Sequence, residues 1–421
     1  MKLNTNRYNP IPMPRAYPFF VCLCFSLTTL GQQPAAEAIK TALQEGGHYA
    51  GQVLLDEEGW SRCDYDWMDG KWHAYETAWH TGQVINGLLY AYEITQDSSL
   101  LATARHAGNW WVTLTIEDDP RLKGYLRAVH GDEVGALINF TTIADGTPGL
   151  FRLSRLTGDP RYAEVATRAG QWALDHLYLE EEGLIYDLVD AQTGEIWTDK
   201  SPFYEGELTV HQVARPNNEG FLFKDMYEFT GEERYREAFI NLCNSLVEKQ
   251  HDNGFWMDYH PNSIEKGRIH PRSNIWYAES LIAGYELTGD RRYLEAAYRT
   301  GKAVVDWQQK DGVIYYRNYT EPERMNRSSI CGSAVSFAGI LWLELREHGY
   351  QEEFEKPIQE AARWVMQNRF AADHPDPNLR GAFLETRRRH KDGRTLIRVR
   401  DIATSFGLRF LAIYYQTYYG A

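Results

Sequence analysis

The chain has 421 residues, 43% hydrophobic and 24% charged, an ordinary globular balance with length for one large domain or two medium ones. A formal charge of -14 argues against a phosphate-tracking surface, which needs a basic field to displace condensed counterions, so nucleic acid is not an expected partner. Aromatic residues make up 14%, enough either for a core of large side chains or for rings that stack on sugar faces.

The first thirty residues combine Lys2, Arg7 and Arg15 with the apolar run PFFVCLCFSLTTLG and then QQPAAEA, the charged, apolar and small-residue order of a secretory signal. Residues 1–31 are expected to be a signal peptide cut near Gly31, leaving 32–421 as a single catalytic domain, periplasmic or secreted. The apolar run is too short to span a bilayer, and neither Cys22 nor Cys24 follows the residues of a lipoprotein signal, so no membrane insertion is expected after cleavage. Cys63, Cys243 and Cys331 remain, an odd number without CxxC spacing, which predicts neither a disulfide framework nor a metal knuckle.

Along the rest of the chain one motif recurs: ITQDSSLLATARHAG, LTGDPRYAEVATRAG, FTGEERYREAFINLC and LTGDRRYLEAAYRTG, with a degenerate fifth copy from His348. Thr95, Thr157, Thr230 and Thr288 mark it at spacings of roughly sixty to seventy residues, too long for a tetratricopeptide array and suited to a helical hairpin with long connections. Each copy reads as a turn between helices, with Gly free to take a positive φ and an acid placed to start the next helix. Nearly all-apolar helices are predicted before the turns, at 76–95, 145–158, 217–231, 272–289 and 328–349, and a sixth closes the chain from Arg400. Amphipathic helices are predicted at 36–55 and after the turns, at 98–115, 159–178, 232–250, 291–308 and 351–369. The fold class is therefore all-α: an (α/α)6 barrel of six helical hairpins with short strands, expected at 183–187, 254–258 and 312–316, in long loops at one end. Long loops on a rigid scaffold are where sites are built, which places the cleft at the N-terminal ends of the inner helices.

The serial order ETAWHTGQVINGLLYAYEITQD, DGTPGLFRLSRLTGD, NNEGFLFKDMYEFTGE, RSNIWYAESLIAGYELTGD and SSICGSAVSFAGILWLELRE resembles the six-hairpin glycosidases over residues 36–421. The resemblance is strongest to the unsaturated glucuronyl and rhamnogalacturonyl hydrolases and extends to related exo-glucuronidases. It implies an Asp near the start of an inner helix acting as acid and base, a place that Asp145 matches, and a second Asp on the next hairpin. There RPNNEGF departs from the family by offering Asn217, Asn218 and Glu219.

Hydrolysis of a sugar bond needs two carboxyl groups, one protonated at the leaving oxygen and one ionised. Asp145 reads as that acid or as a helix cap, and Glu219 as its partner or as an acid favoured by a helix dipole. Glu76, Asp132, Glu133 and Asp401 are weaker candidates. By residue type the substrate contacts are Trp72, Trp79, His80, His211, Arg215, Asn218, His270, Arg272, Trp276, Tyr277 and Arg400, since rings stack on sugars and Arg forks grip carboxylates. The run ETRRRHKDGRTLIRVRD reads as a solvated hairpin or as an anion-attracting rim. No metal, phosphate-loop or dinucleotide motif is present, and no cofactor is expected. The leading expectation is an exported glycoside hydrolase that removes a terminal uronic acid, saturated or unsaturated, from acidic oligosaccharides. The rivals are an epimerase using His80, His211 and His270, a polysaccharide lyase, and a non-catalytic glycan-binding protein. Nothing in the sequence bears on oligomeric state.

Overall fold

The four clear hinges of the repeat share a Thr, a left-handed residue and an acid in that order. Thr157 donates back to Leu153 O (2.7 Å) and accepts the Asp159 amide (3.3 Å), Gly158 takes φ +71°, and Asp159 accepts the Arg161 amide (3.1 Å). Thr288, Gly289 and Asp290 repeat the arrangement, and Thr95 and Thr230 make the same back-bonds. A left-handed residue thus ends one helix while, in three of the hinges, an aspartate caps the next, so the reversal is set locally.

In the computed structural model, which describes residues 33–129, 137–198, 213–390 and 392–420, these hinges join an inner and an outer ring of helices. The outer α1 (Ala36–Tyr49) is followed by inner α2 (Thr77–Thr95) and outer α3 (Ser98–Thr113). The second inner helix is broken into α4 (Phe140–Gly146) and α5 (Pro148–Thr157), with α6 (Arg161–His176) outside it. The later pairs are α7 (Leu222–Thr230) with α8 (Glu233–Lys249), α9 (Pro271–Thr288) with α10 (Arg291–Val305), and α11 (Gly332–Glu347) with α12 (Gln351–Gln367). The inner α13 (Asp401–Tyr419) packs on α1, α2 and α11, which closes the ring. Inner helices are buried on every face: in α11 each residue from Gly332 to Leu343 is buried. Outer helices bury one stripe, as their amphipathic pattern requires. Pro34–Ala421 form one compact unit.

Among the described residues twelve short strands lie in the connections from outer to inner helices: β1 (Asp64–Asp66), β2 (Lys71–His73), β3 (Leu137–Asn139), β4 (Tyr178–Leu179), β5 (Leu184–Tyr186), β6 (Leu188–Asp190), β7 (Ala214–Arg215), β8 (Arg268–Ile269), β9 (Tyr315–Tyr319), β10 (Asn326–Ile330), β11 (Leu384–Arg389) and β12 (Thr395–Arg400). One of them, namely β2, β3, β7, β8, β10 or β12, comes shortly before each inner helix, so the mouth of the barrel is lined by strand ends. Seven pair antiparallel in the order β2-β1-β12-β11-β10-β9-β8.

Several expected boundaries move. The helix expected at 145–158 begins at Phe140, capped by Asn139 on the Thr142 amide (2.8 Å), and the one expected at 328–349 begins at Gly332 because Asn326–Ile330 is strand. The strand expected at 183–187 is present as β5, and the one at 312–316 starts only at Tyr315, after the Gly312 turn. No strand forms at 254–258. There the Trp256 amide donates to Asn274 Oδ1 (2.8 Å) and its indole to Leu246 O (2.7 Å), which buries the segment as a plug instead of pairing it. Among the described residues no helix is long and apolar enough to cross a membrane, and Cys63, Cys243 and Cys331 are free and buried.

Candidate active site

The break between α4 and α5 positions Asp145. Pro148 has no amide to give, so the Ala144 carbonyl accepts the Thr147 hydroxyl instead (3.0 Å), and Asp145 O accepts the Gln83 side-chain amide from α2. Asp145 is therefore one residue from the end of a short helix and 4% exposed, in the barrel wall. It does not cap a helix, which corrects that alternative.

Glu219 reaches the same place from the next hairpin. After β7 the chain makes a single 3-10 turn (Glu219–Phe221), and Gly220 and Phe221 both take positive φ, +75° and +62°. These left-handed residues separate Glu219 from α7, so the acid does not sit on that helix's dipole as expected. They bring it against α4 instead: a Cβ on Gly220 would overlap the Ala144 carbonyl and stand 3.1 Å from Asp145 Cα. Glu219 is 3% exposed. Three of the four non-glycine residues at positive φ among the described residues, Cys63, Glu76 and Phe221, lie at this end of the barrel, where stored backbone strain is commonly functional.

Neither Asp145 Oδ1 nor Glu219 Oε2 has a hydrogen-bond partner in the protein, and Asn217 Oδ1, Arg215 Nε and Tyr277 OH beside them are also buried and unpartnered. Buried polar atoms are normally satisfied, so the gathering of five unpartnered ones here is unusual. Burial raises both acids. Glu219, also pulled down by Arg215, is pushed up to about 7, and Asp145 goes well above the usual carboxylate range, with the neighbouring Glu219 charge as the second cause. Two buried carboxyls that repel one another do not ionise together. Burial and mutual repulsion thus favour the protonated form of both, and the Arg215 charge works against that shift.

Arg215 is fixed by residues the sequence did not single out. Its guanidinium donates to Thr141 Oγ1 and to His260 O (3.2 Å) and stands 3.5 Å from Asp187, while Thr141 donates its hydroxyl (2.5 Å) and amide (3.1 Å) to Asp187. Asp187 is the last residue of the segment expected as a strand at 183–187, and only its partner across the fold singles it out. Tyr277 is fully buried and feels the charges of Glu219 and Arg215.

The other expected contacts spread over the same end. His80 Nδ1 bonds Asp401, which also accepts the Ser61 hydroxyl, and His80 Nε2 is buried and unpartnered between the rings of Trp79 and Tyr75. Cys63, His80 and Asp401 bring ligand-type atoms within 4.8 Å of one another, but the carboxylate is already engaged by His80 and Ser61. Arg400 donates to Asp64 (2.9 Å) beneath the Tyr75 ring. Arg272 stands 3.7 Å from Glu385, and His270, held uncharged by burial and by Arg272, caps α9. Trp72 sits in the sheet against Tyr65 and donates to Asn378 (3.3 Å). Two residues face elsewhere. Asn218 turns its amide to Phe239 O and Cys243 Sγ on α8, and Trp276 is wedged between Phe337 and Phe406. His211, Asp132 and Glu133 lie outside the described residues.

The fold is shared with several solved structures. A cellobiose 2-epimerase from Bacillus thermoamylovorans B4167 superposes with a TM-score of 0.70 at 16% identity, over 90% of this chain and 100% of its own. A sugar epimerase from a ruminal bacterium gives 0.69 at 12% identity, over 91% and 99%. An unsaturated glucuronyl hydrolase from Bacillus sp. GL1, responsible for the degradation of glycosaminoglycan, gives 0.65 at 13% identity, over 91% and 97%. The resemblance to six-hairpin glycosidases therefore holds for the fold. No curated protein sequence matches the chain. Residues 37–251 match the family model of the β-L-arabinofuranosidase GH127 catalytic domain, a segment of about half the chain that carries both Asp145 and Glu219. The chain belongs to this glycoside hydrolase family, the GH127 β-L-arabinofuranosidase catalytic domain, built on an (α/α)6 barrel.

Proposed function

We propose that the protein is an exo-acting hydrolase that releases one terminal uronic acid, saturated or unsaturated, from acidic oligosaccharides, with Asp145 and Glu219 as its carboxyl pair. The observation that carries this reading is the juxtaposition of two buried acids from neighbouring hairpins, each with an unpartnered oxygen and a raised pKa. Asp145 donates its proton to the leaving oxygen, and Glu219 in its ionised form activates water or attacks directly. Arg215 and Arg272 are the cations nearest in character to a carboxylate clamp. The sequence of the first thirty residues supports action outside the cytoplasm after removal of a signal.

A second reading keeps the same pair and changes the sugar: a terminal L-arabinofuranosyl group, favoured by the family match over residues 37–251. Initial rates on saturated uronides, unsaturated uronides and β-L-arabinofuranosides separate the two. The leading reading expects the uronides to be cleaved at least ~100-fold faster in kcat/KM, about 2.7 kcal/mol of discrimination. Preference for the arabinofuranoside replaces it with the second.

A further inference from the structure

The basic hairpin formed by β11 and β12 has no role in the carboxyl pair. Arg387, Arg388 and Arg389 are exposed in consecutive positions of β11, and Ser329 of β10 pairs with Arg388, which sets exposed Arg327 two residues away on the neighbouring strand. Among the described residues none of these four guanidiniums has a carboxylate within 4.0 Å, while Arg394, Arg398 and Arg400 at the other side of the hairpin are neutralised by Asp392, Asp66 and Asp64. In a chain of net charge -14, four uncompensated cations on two adjacent strands are a local reversal of field. Two partly exposed rings lie on or next to the same sheet, Tyr316 on β9 and Trp67, whose amide donates to Ile397 O of β12, both 36% exposed.

The ridge is tied to the starts of two inner helices. β10 leads into α11, β12 leads into α13, and buried Glu385 at the base of β11 accepts the Ser333 amide at the start of α11 (2.7 Å). We infer that this ridge is a binding surface for an anionic glycan, holding the chain that extends away from the terminal residue being cleaved. Guanidinium forks bind carboxylate or sulfate groups spaced along such a chain, and the two rings give sugar faces a place to stack. The inference rests on the proposed action on an acidic glycan, but its test needs no turnover, so the two can fail separately.

Binding of fluorescently labelled polygalacturonate to the full chain is measured at low salt and again at higher ionic strength, with a neutral glucan, heparin and duplex DNA as further probes. The expected result is that polygalacturonate binds, that binding weakens with salt as exposed charges are screened, and that the variant carrying Arg387→Ala, Arg388→Ala and Arg389→Ala loses at least ~10-fold in affinity, about 1.4 kcal/mol. A control variant losing Arg121, Arg161 and Arg292, which pair with local acids elsewhere, keeps wild-type affinity. Heparin binding that also needs the ridge extends the site to sulfated chains. Absence of polygalacturonate binding, equal loss in the control, or equal or stronger binding of the neutral glucan or of DNA overturns the proposal. Unchanged thermal midpoints in both variants keep misfolding from imitating the result.

Discussion

Asp145→Asn and Glu219→Gln each lower the hydrolysis rate by about a thousandfold or more, because proton donation and water activation each contribute ~10²–10⁴ and neither amide can do either. Glu219→Gln also stabilises the fold at alkaline pH. Glu219 has its pKa raised by burial from 4.5 to about 7, so the native state prefers its protonated form. That preference is fully present below pH 4.5 and is lost as pH rises through about 7, after which a charge sits in the wall of the barrel. Gln carries no such charge. At pH 8 the Glu219→Gln variant is expected to gain roughly 2–3 kcal/mol in urea unfolding, and near pH 4 almost nothing. Activity should follow the opposite course, with kcat/KM rising as pH passes about 7 and Glu219 ionises while Asp145 keeps its proton. A Glu219→Gln variant that loses activity without this pH-dependent gain places the lost function somewhere other than an uncompensated buried acid.

Gly220→Ala is the second large effect. Its φ of +75° and the Ala144 carbonyl leave no room for a methyl group, and strain plus overpacking cost about 2–4 kcal/mol. Relieving the overlap pushes the 219–221 turn and α4 apart, which separates Glu219 from Asp145. Since a misplacement of about 1 Å can cost ~10²-fold, kcat is expected to fall by that order even below the melting temperature. Circular dichroism melting alongside kcat checks it. A fully active Gly220→Ala variant shows that the close approach of Glu219 to Asp145 is not needed.

How far the sequence reaches is decided by the range of the interactions. The Thr-Gly-Asp hinges were legible because every bond in them spans four residues or fewer, as with Thr157 to Leu153 and Asp159 to Arg161. The all-face apolar inner helices were legible for a similar reason, since burial on every side erases amphipathic alternation. Asp-Gly-Thr-Pro was misleading: Pro148 opens only the second half of a helix whose start is set earlier by Asn139, so Asp145 was placed at a start and stands near an end. Alternation in GFWMD gave a strand signal, but a strand needs a partner, and Trp256 found Asn274 and Leu246 instead.

Within the candidate site, the approach of Asp145 and Glu219 was legible by residue type and helix order. The residues that hold it were not: Asp187 and Thr141 contact Arg215 across 28 and 74 positions, and Glu385 meets Arg272 only because β11 folds back on α11. Asn218 shows the converse. It had the correct residue type and neighbourhood, yet its amide is spent on α8.

Labelling of the released sugar with heavy-oxygen water is the most direct test that this barrel uses its carboxyl pair for hydrolysis. The account predicts one solvent oxygen in the product made by the wild type and no product above background from Asp145→Asn or Glu219→Gln. Cleavage without solvent oxygen would mean elimination, and exchange of a carbon-bound hydrogen without cleavage would mean epimerisation. Either result, or undiminished labelling in both variants, contradicts it.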